Sequence, residues 1–459
     1  IFDMPYAKDA LGLTASQYAT NPAQAGNYAI ANGAQKIVKQ EQVGVVIDHK
    51  INTELRFQAR LYSGTRDNLQ YQASSATAGT WVGLARQFGG AGIQIQGKAR
   101  MSVDKALDWV IGHDRDSSGE QRQGGSTANG SKTNTNRNEL NVASNRDYFA
   151  QANWHLIPNW TFITGVRQSS VQLSSRDDYL TDGVDGSGSV VYKSTNPVFG
   201  ATWHAFDTLN LYLNQGKGIE TPTLSESAYS RSGSTIVGSF NPNLLASRSQ
   251  HLEFGSKWTP AKFTRIDAAW FRIKTDNEIV TDLTVSGKSA YTNAPQTLRD
   301  GFELAGKHQF SDNWRGQVSA TSMRAIYQNW GSKSGNTLPG VPNKQLFSSI
   351  GWSQKGFLPS NTKQMPGAEV FLDWIGRSVM WANDTNDTAS TASGFSIFNA
   401  RFKHRFDIGP SQIEAYLGIN NLTDQKTIGS VIINQSSSQY FEPGLPRNWV
   451  VGLTGKLPL

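Results

Sequence analysis

The sequence predicts an all-β protein whose antiparallel strands form a barrel across a membrane. Apolar and polar residues alternate over segments of about ten residues, which is typical of strands with one apolar face. Long polar connections alternate along the chain with tight turns. Aromatic residues also cluster near strand ends, as in membrane barrels. The 459 residues include 13 Trp, 14 Tyr and 21 Phe.

Alternation is clearest in residues 148–156, 209–213, 398–406 and 413–419. Leu209, Leu211 and Leu213, for example, are separated by Asn210 and Tyr212. We expect residues 209–213 and 413–419 to be antiparallel membrane-crossing strands with their Leu and Ile side chains toward lipid. No apolar run approaches the roughly 18 residues of a helical span, so helical membrane proteins are excluded.

The connections come in two sizes. Tight turns are predicted at Pro158, Asp312 and Pro410, and long polar connections at residues 115–145, 177–195, 219–248, 328–343, 382–394 and 422–446. Residues 117–138 are nearly low-complexity. Outer-membrane barrels have long external loops and short periplasmic turns, so the two sets should lie on opposite sides. A soluble β-propeller is the alternative, but no repeat of about 40 to 50 residues is visible.

Six segments occur in an order that resembles the TonB-dependent outer-membrane receptors. They are residues 216–226 with Pro222 and Glu226, Asn241-Pro242-Asn243-Leu244, residues 293–303 ending in Gly301-Phe302-Glu303, Pro339-Gly340-Val341-Pro342, Asn420-Asn421-Leu422-Thr423-Asp424, and Pro446-Arg447. Residues 429–435 and 440–443, with residues 220–223, look closest to the branch that takes up pyrroloquinoline quinone. Most of the family imports ferric siderophores, which is the alternative ligand class. Ala246 and Ser247 depart from the usual Pro-Glu.

The resemblance implies a 22-stranded barrel with an N-terminal plug that contacts TonB. Nothing before Lys36 resembles a plug, and about 17 alternating segments can be counted against those 22 strands. We therefore expect residues 1–459 to be the C-terminal part of the barrel, beginning in an external loop, with the plug and first strands absent. The implied location is the outer membrane of a Gram-negative bacterium.

Catalytic chemistry is not indicated. The absence of Cys excludes a disulfide scaffold, a thiol nucleophile and a Cys-ligated metal. The seven His residues show no metal-ligand spacing, and no nucleophile-elbow pattern occurs. We predict no enzyme activity, no catalytic residue, no metal and no cofactor. A passive porin, an outer-membrane hydrolase and a soluble β-rich binding protein remain competing classes.

Binding chemistry is indicated in the external loops. Arg offers a planar fork for carboxylates, and Trp or Tyr offers a face for stacking. The predicted ligand contacts are Arg447, Tyr440, Arg231 and Trp381. The predicted partners are TonB through the plug, lipopolysaccharide and membrane lipid, and a small-molecule ligand. The net charge of +7 is spread along the chain, which does not favour nucleic-acid binding. A monomer is expected.

Overall fold

The computed structural model describes residues 1–102, 105–357 and 367–456. Strands dominate it, with one six-residue helix. In chain order the elements are β1 (Phe2–Lys8), α1 (Ala15–Thr20), β2 (Gln35–Lys50), β3 (Leu55–Ala73), β4 (Ala78–Ser102), β5 (Lys105–Ala128), β6 (Ser131–Lys132), β7 (Arg137–Ile157), β8 (Trp160–Asp177), β9 (Gly188–Phe206), β10 (Leu209–Glu220), β11 (Ser230–Ser232), β12 (Thr235–Val237), β13 (Ser247–Ala261), β14 (Thr264–Val285), β15 (Lys288–Gln309), β16 (Trp314–Tyr327), β17 (Lys344–Ser353), β18 (Gly367–Arg377), β19 (Met380–Trp381), β20 (Thr391–Ala392), β21 (Phe395–Ile408), β22 (Ser411–Asn420), β23 (Ile428–Val431), β24 (Phe441–Pro443) and β25 (Asn448–Lys456). Two 3₁₀ turns occupy Gly331–Lys333 and Thr388–Ser390.

Nineteen strands of the described residues form one antiparallel sheet in which each long strand pairs with the next long strand along the chain. The predicted all-β antiparallel architecture is confirmed, and the predicted count of about 17 alternating segments compares with these nineteen strands, of which β6 has only two residues. The predicted barrel is not closed in the described residues, because β1 pairs only with β2 and β25 only with β22. The sheet therefore has two free edges, and the total of 22 strands stays a prediction.

The expectation that the chain begins in an external loop is wrong, because residues Phe2–Lys8 form strand β1. Its pairing with β2 shifts between Met4 and Ala7, around Pro5. Proline cannot donate a ladder hydrogen bond and is tolerated at bulges and edges. That proline obscured the strand pattern in the sequence.

An exposed apolar band marks the outer face of the sheet. Leu213 is 49% exposed, and its cross-strand partner Phe254 is 51% exposed. Both predicted segments, residues 209–213 and 413–419, lie in antiparallel strands as expected. Near the turn at residues 158–159, Trp160 stacks on Trp203 with ring centroids 6.0 Å apart. Exposed aromatic rings at strand ends suit the headgroup region of a membrane.

The predicted turns at Pro158, Asp312 and Pro410 lie at one end of the strands, and the long connections lie at the other, which we call the external end. The long connection predicted at residues 115–145 is wrong: β5 runs to Ala128 and β7 begins at Arg137, so only residues 129–136 connect them. Polar residues in this part of the chain belong to strands that are longer than a membrane crossing requires. Composition alone therefore led to the prediction of a loop for residues that belong to β5 and β7.

Two external connections are also tight turns, although the sequence predicted tight turns only at the opposite end of the strands. Residues 74–77 join β3 to β4, and Ser286 and Gly287 join β14 to β15. Ser286 and Gly287 have φ of 49° and 76°. A two-residue hairpin turn of type I′ needs positive φ at both positions, which suits glycine.

The buried apolar clusters of the described residues lie at the external end, where loops pack on strand ends. One contains Met380, Ile428, Tyr440 and Phe441, with Tyr18 of α1 packed against it. Helix α1 is capped by Thr14, which accepts from the Gln17 amide at 3.3 Å. Among the described residues, no helix has the length and apolarity needed to cross a membrane.

The sidedness can be tested by single-cysteine labelling, because the chain has no Cys. Ser437→Cys, in the last external connection, should react with a membrane-impermeant maleimide on intact cells. Ser311→Cys, in a predicted periplasmic turn, should react only after the membrane is permeabilised. Equal labelling of both positions on intact cells would contradict the assigned topology, and permeabilised cells provide the control for thiol reactivity.

Candidate ligand site at the external mouth

The last long connection, residues 421–447, crosses the external mouth of the sheet. Asn434 donates from its side chain to the Thr281 carbonyl at 2.7 Å, and its own carbonyl accepts from the Thr284 amide at 3.0 Å. Its Oδ1 accepts from the Asp384 amide at 3.2 Å. The loop follows β22, whereas Thr281 and Thr284 lie on β14, so these bonds join strands that are not sheet neighbours.

Two further sets of hydrogen bonds join separate segments at the external end. The first long connection, residues 9–34, joins the last one through Leu13, whose amide donates to the Phe441 carbonyl at 2.8 Å and whose carbonyl accepts from the Phe441 amide at 3.0 Å. At another point Gln72 of β3 donates to the Gly287 carbonyl of the β14–β15 turn at 2.8 Å. The first and last long connections and the external ends of β3 and β14 are therefore joined to other segments at the external end, and we call these segments together the cover.

The sequence-predicted residues Tyr440 and Trp381 lie in this cover. Tyr440 is buried and packs edge-on against Phe441, with ring centroids 6.1 Å apart. Trp381 is partly buried in the short strand β19, and its carbonyl accepts from Gly340 at 2.8 Å. These two residues lie in neighbouring parts of one loop assembly, because Met380 belongs to the same apolar cluster as Tyr440.

The other two predicted residues lie apart. Arg231 is in the β11–β12 hairpin and donates to Asp282 at 2.7 Å, so its charge has a partner. Arg447 is exposed immediately before β25, and its amide donates to Asp424 at 2.8 Å. Among the described residues, neither forms a hydrogen bond or ion pair with Tyr440 or Trp381. The four residues do not form one constellation.

A different group of residues gathers at the inner face of the external end. The register of β5 and β7 places Arg122 opposite Glu139 and Gly124 opposite Arg137. Tyr229, from the long connection between β10 and β13, lies between the two arginines. Its ring centroid is 5.0 Å from the Arg122 Cζ and 4.7 Å from the Arg137 Cζ. We call Arg122, Arg137 and Tyr229 the arginine–tyrosine cluster.

The loop carrying Tyr229 is shaped by residues 220–226, part of the first resemblance block. The Glu226 carboxylate accepts from the Thr223 amide at 2.8 Å, and the Glu226 amide donates to the Thr223 hydroxyl at 3.2 Å. This reciprocal pattern is that of a capping box. Ser227 then donates to the Thr223 carbonyl at 3.0 Å, which turns the chain back toward β5 and β7.

The cluster contains buried donors without partners. Arg122 is 6% exposed and has no carboxylate within 4.0 Å among the described residues, although its Nη2 donates to the Tyr229 hydroxyl at 2.7 Å. In the part of the chain that the structure describes, Arg122 Nε, Arg137 Nη1 and Ser227 Oγ are buried without a hydrogen-bond partner. Buried polar groups are normally satisfied, so these donors can receive an acceptor from a ligand.

The electrostatics of the cluster are positive. Burial alone would raise the pKa of the Tyr229 phenol, but the charges of Arg122, Arg137 and Lys288 outweigh it and hold that pKa below its ordinary value. Glu139 neutralises Arg137, with its Oε1 2.5 Å from the Arg137 Nε. The unpaired charge is therefore centred on Arg122, which favours anionic groups.

Sequence reasoning missed this cluster because residues 117–138 were assigned to a loop. A usable signal was present: Glu120 and Arg122 share one parity, as do Arg137, Glu139 and Asn141. Period-two charged residues are expected on the lumen face of a barrel strand. The approach of Tyr229, which is 107 residues from Arg122, left no comparable signal.

Basic residues also gather at the opposite end of the sheet, near the tight turns. A cavity of about 1140 Å³ opens there, lined by the cationic residues Lys262, Arg265, Lys307, Arg315, Lys355, Arg401, Lys403 and Arg405 and by Glu369. Some of these charges are neutralised, because Arg401 binds Asp373 through two contacts of 2.8 Å. The excess positive charge would favour an anionic solute in the lumen. No group of three His, Asp or Glu residues that could hold a metal is found within the described ranges.

Comparison with known proteins decides the family. The model of the TonB dependent receptor-like β-barrel matches residues 3–422. The chain belongs to this family. This match confirms the family predicted from the sequence. TonB-dependent receptors are receptors and transporters of the Gram-negative outer membrane rather than enzymes. The resemblance to the pyrroloquinoline quinone branch is finer than this match and stays a prediction.

Solved structures of similar fold include three ferric-chelate proteins. The ferric citrate transporter FecA in its unliganded form has a TM-score of 0.78 and 15% identity, over 98% of this chain and 66% of its own. The ferric yersiniabactin uptake receptor FyuA from Yersinia pestis has a TM-score of 0.73 and 15% identity, over 92% of this chain and 61% of its own. BauA, the ferric preacinetobactin receptor from Acinetobacter baumannii, has a TM-score of 0.70 and 13% identity, over 92% of this chain and 63% of its own. The chain thus spans somewhat less than two thirds of each, and identities this low show the fold alone.

Proposed function

We propose that this TonB-dependent receptor captures a scarce, carboxylate-bearing small molecule at its external mouth and imports it with energy from TonB. The observation that carries the proposal is the arginine–tyrosine cluster, with its buried and unpaired Arg122. A planar guanidinium binds a carboxylate through two parallel hydrogen bonds, and a tyrosine face packs on a flat ligand.

Two ligand classes fit this chemistry. The segments at residues 220–223 and 429–435 resemble the branch that takes up pyrroloquinoline quinone, a flat quinone with carboxylates at its edge. The proteins of similar structure favour a ferric chelate, because they include a ferric citrate transporter, a ferric yersiniabactin receptor and a ferric-catecholate import receptor. Both classes present anionic oxygen atoms, and both are therefore compatible with Arg122.

The four residues predicted from the sequence remain proposed contacts. Trp381 is partly exposed in the cover and offers a stacking face, whereas Tyr440 would need the cover to open before it met a ligand. Arg447 is exposed at the rim. Arg447→Ala should weaken uptake by roughly one to two powers of ten without affecting assembly if the sequence assignment holds.

Ligand choice and energy source can be tested together. Cells producing the protein would be offered pyrroloquinoline quinone, ferric citrate and a ferric siderophore separately, with and without functional TonB. We expect saturable uptake of one of them that disappears without TonB. Uptake that persists without TonB would indicate a passive porin instead. Siderophore uptake with no response to the quinone would end the branch assignment and leave the family membership unchanged.

A further inference from the structure

An aromatic ring lies between two arginines on the inner face of the sheet, at the end of the strands that carries the tight turns, which we call the turn end. Phe371 of β18 is 6% exposed, whereas its neighbours Val370 and Leu372 are 43% and 44% exposed on the outer face. Successive side chains of a strand point to opposite faces, so Phe371 faces inward. The register places Gly351 of β17 on one side of Phe371 and Arg401 of β21 on the other.

Arg315 of β16 is the second arginine. It lies opposite Gly351 in the register, and its Cζ is 5.1 Å from the Phe371 ring centroid and 3.9 Å from the Phe357 ring centroid. The Arg401 Cζ is 4.9 Å from the Phe371 centroid. A Cβ at Gly351 would lie 2.5 Å from the Phe371 ring, so glycine is needed for the ring to occupy this position. We call Arg315, Phe357, Phe371 and Arg401 the arginine–phenylalanine stack.

The two arginines of the stack differ in their charge partners. Arg401 binds Asp373 through two contacts of 2.8 Å. Arg315 has no carboxylate within 4.0 Å among the described residues, and its guanidinium contacts there are with the two rings. A guanidinium donates its N–H groups in its own plane, so a position over ring faces leaves those donors free. The stack therefore holds one arginine fork in place without neutralising it.

The cavity of about 1140 Å³ around the stack has an excess of positive charge. Four of its eight cationic residues are paired with carboxylates. Lys262, Lys307 and Lys355 have, like Arg315, no carboxylate within 4.0 Å in the part of the chain that the structure describes. Residues 358–366, which lie outside the described ranges, contain no Asp or Glu. The free cations of this cavity therefore need an anion from elsewhere.

The cavity is separate from the arginine–tyrosine cluster at the external end. Arg315 is the second residue of β16, and the strand ends at Tyr327 on the external side. At about 3.3 Å per residue, roughly 40 Å separates these two positions along the strand. A small molecule bound at the external mouth cannot reach the stack, so an anion at the turn end occupies a site of its own.

We propose that the arginine–phenylalanine stack and its unpaired lysines form a second binding site, at the turn end of the lumen, for a small organic molecule with two or more carboxylates. The Arg315 fork binds one carboxylate through two parallel hydrogen bonds, and the lysine ammonium groups bind another. A cavity of this volume admits a molecule of several carboxylates rather than a single inorganic anion. The inference rests on the proposed function for the class of ligand, and it adds a site that the ligand occupies after leaving the external mouth.

Cysteine reactivity in the purified, intact protein in neutral detergent tests the charge of the cavity. Gln317 lines the cavity and is exposed, so Gln317→Cys places a reporter thiol inside it. The ratio of its reaction rates with an anionic and a cationic methanethiosulfonate reagent should be about tenfold or more above the same ratio for Ser311→Cys. Ser311 lies in the adjacent turn and does not line the cavity. Gln309→Cys is a second reporter on the neighbouring strand.

Citrate, a tricarboxylate, is the binding probe. It should protect Gln317→Cys from modification more strongly than inorganic phosphate or sodium chloride at equal ionic strength. Adding Arg315→Gln should raise the citrate concentration for half-protection by about tenfold or more. The matched control on the same strand is Arg324→Gln, which should leave protection unchanged, because Arg324 lies outside the cavity and Asp300 keeps Arg272 as a partner.

Several outcomes would overturn the proposal. Reporter thiols that react with neither reagent would mean that the cavity is filled in the intact protein. Protection by citrate no stronger than by phosphate would indicate a general anion effect, and an equal loss in Arg324→Gln would remove the role of Arg315.

The measurement does not depend on uptake. Arg122→Gln should leave citrate protection of Gln317→Cys unchanged, because Arg122 is at the opposite end of the strands. Failure of the import proposal would therefore leave the second site standing. Normal uptake with no citrate protection would reject the second site alone.

Discussion

Arg122→Gln should weaken ligand binding by about 10- to 100-fold while leaving the strands intact. The expectation follows from the loss of a charge-assisted contact, which contributes on the order of 1.5–3 kcal/mol. Arg122 has no carboxylate partner in the described structure, so its replacement leaves no buried acid uncompensated. Equilibrium titration of the purified protein with the ligand identified by uptake measures the effect.

Arg137 is a poorer choice for this test. Its replacement would leave Glu139, which is 3% exposed, without its cationic partner. A loss of folding would then be confused with a loss of binding. Arg122→Lys is the informative companion, because it keeps the charge and removes the fork. We expect its affinity to lie between those of the unaltered protein and Arg122→Gln.

Arg231→Gln provides the matched control at the same mouth. Arg231 is already bound to Asp282 at 2.7 Å, so the structure predicts little change in affinity, whereas the sequence had assigned it to the ligand. A strong loss in Arg231→Gln with normal binding in Arg122→Gln would refute the arginine–tyrosine cluster and restore the sequence assignment.

Asn434→Val should release the last external connection and raise local opening of the mouth on the order of 100-fold. Asn434 has φ of 52°, and its side chain bonds to Thr281 and Asp384. A β-branched residue at that φ costs roughly 1–2 kcal/mol, and each buried bond left unmade costs about 1–3 kcal/mol. Amide hydrogen exchange of peptides covering residues 428–443 measures the opening.

The backbone and side-chain contributions can be separated. Asn434→Gly accepts the left-handed conformation but loses the side-chain bonds, so its exchange should be intermediate. Asn129→Val places a similar strain at φ of 48° in the β5–β7 connection and should increase exchange only near residues 129–136. If Asn434→Val leaves residues 428–443 as protected as before, the bonds to β14 do not hold the cover.

The strand assignment could be predicted from the sequence because side chains alternate with period two. Leu209, Leu211 and Leu213 identified β10 without any tertiary information. The same reasoning failed where both strand faces carry polar side chains, as at the external end of β5 around Arg122. A polar strand beyond the membrane and a polar loop have similar compositions, so only pairing distinguishes them. The Pro5 bulge concealed β1 for a related reason.

By itself, the sequence determined the antiparallel strands, the end at which most long connections lie and the family, because these depend on local periodicity and on short ordered segments. Only the tertiary structure decided which charges are paired. Arg231 meets Asp282 across 51 residues, and Arg122 meets Tyr229 across 107. Counter-ion pairing depends on distances of a few ångströms between chain segments far apart in sequence. No spacing in the sequence encodes those distances. For that reason the sequence favoured Arg231, an exposed loop residue, over Arg122, a buried strand residue.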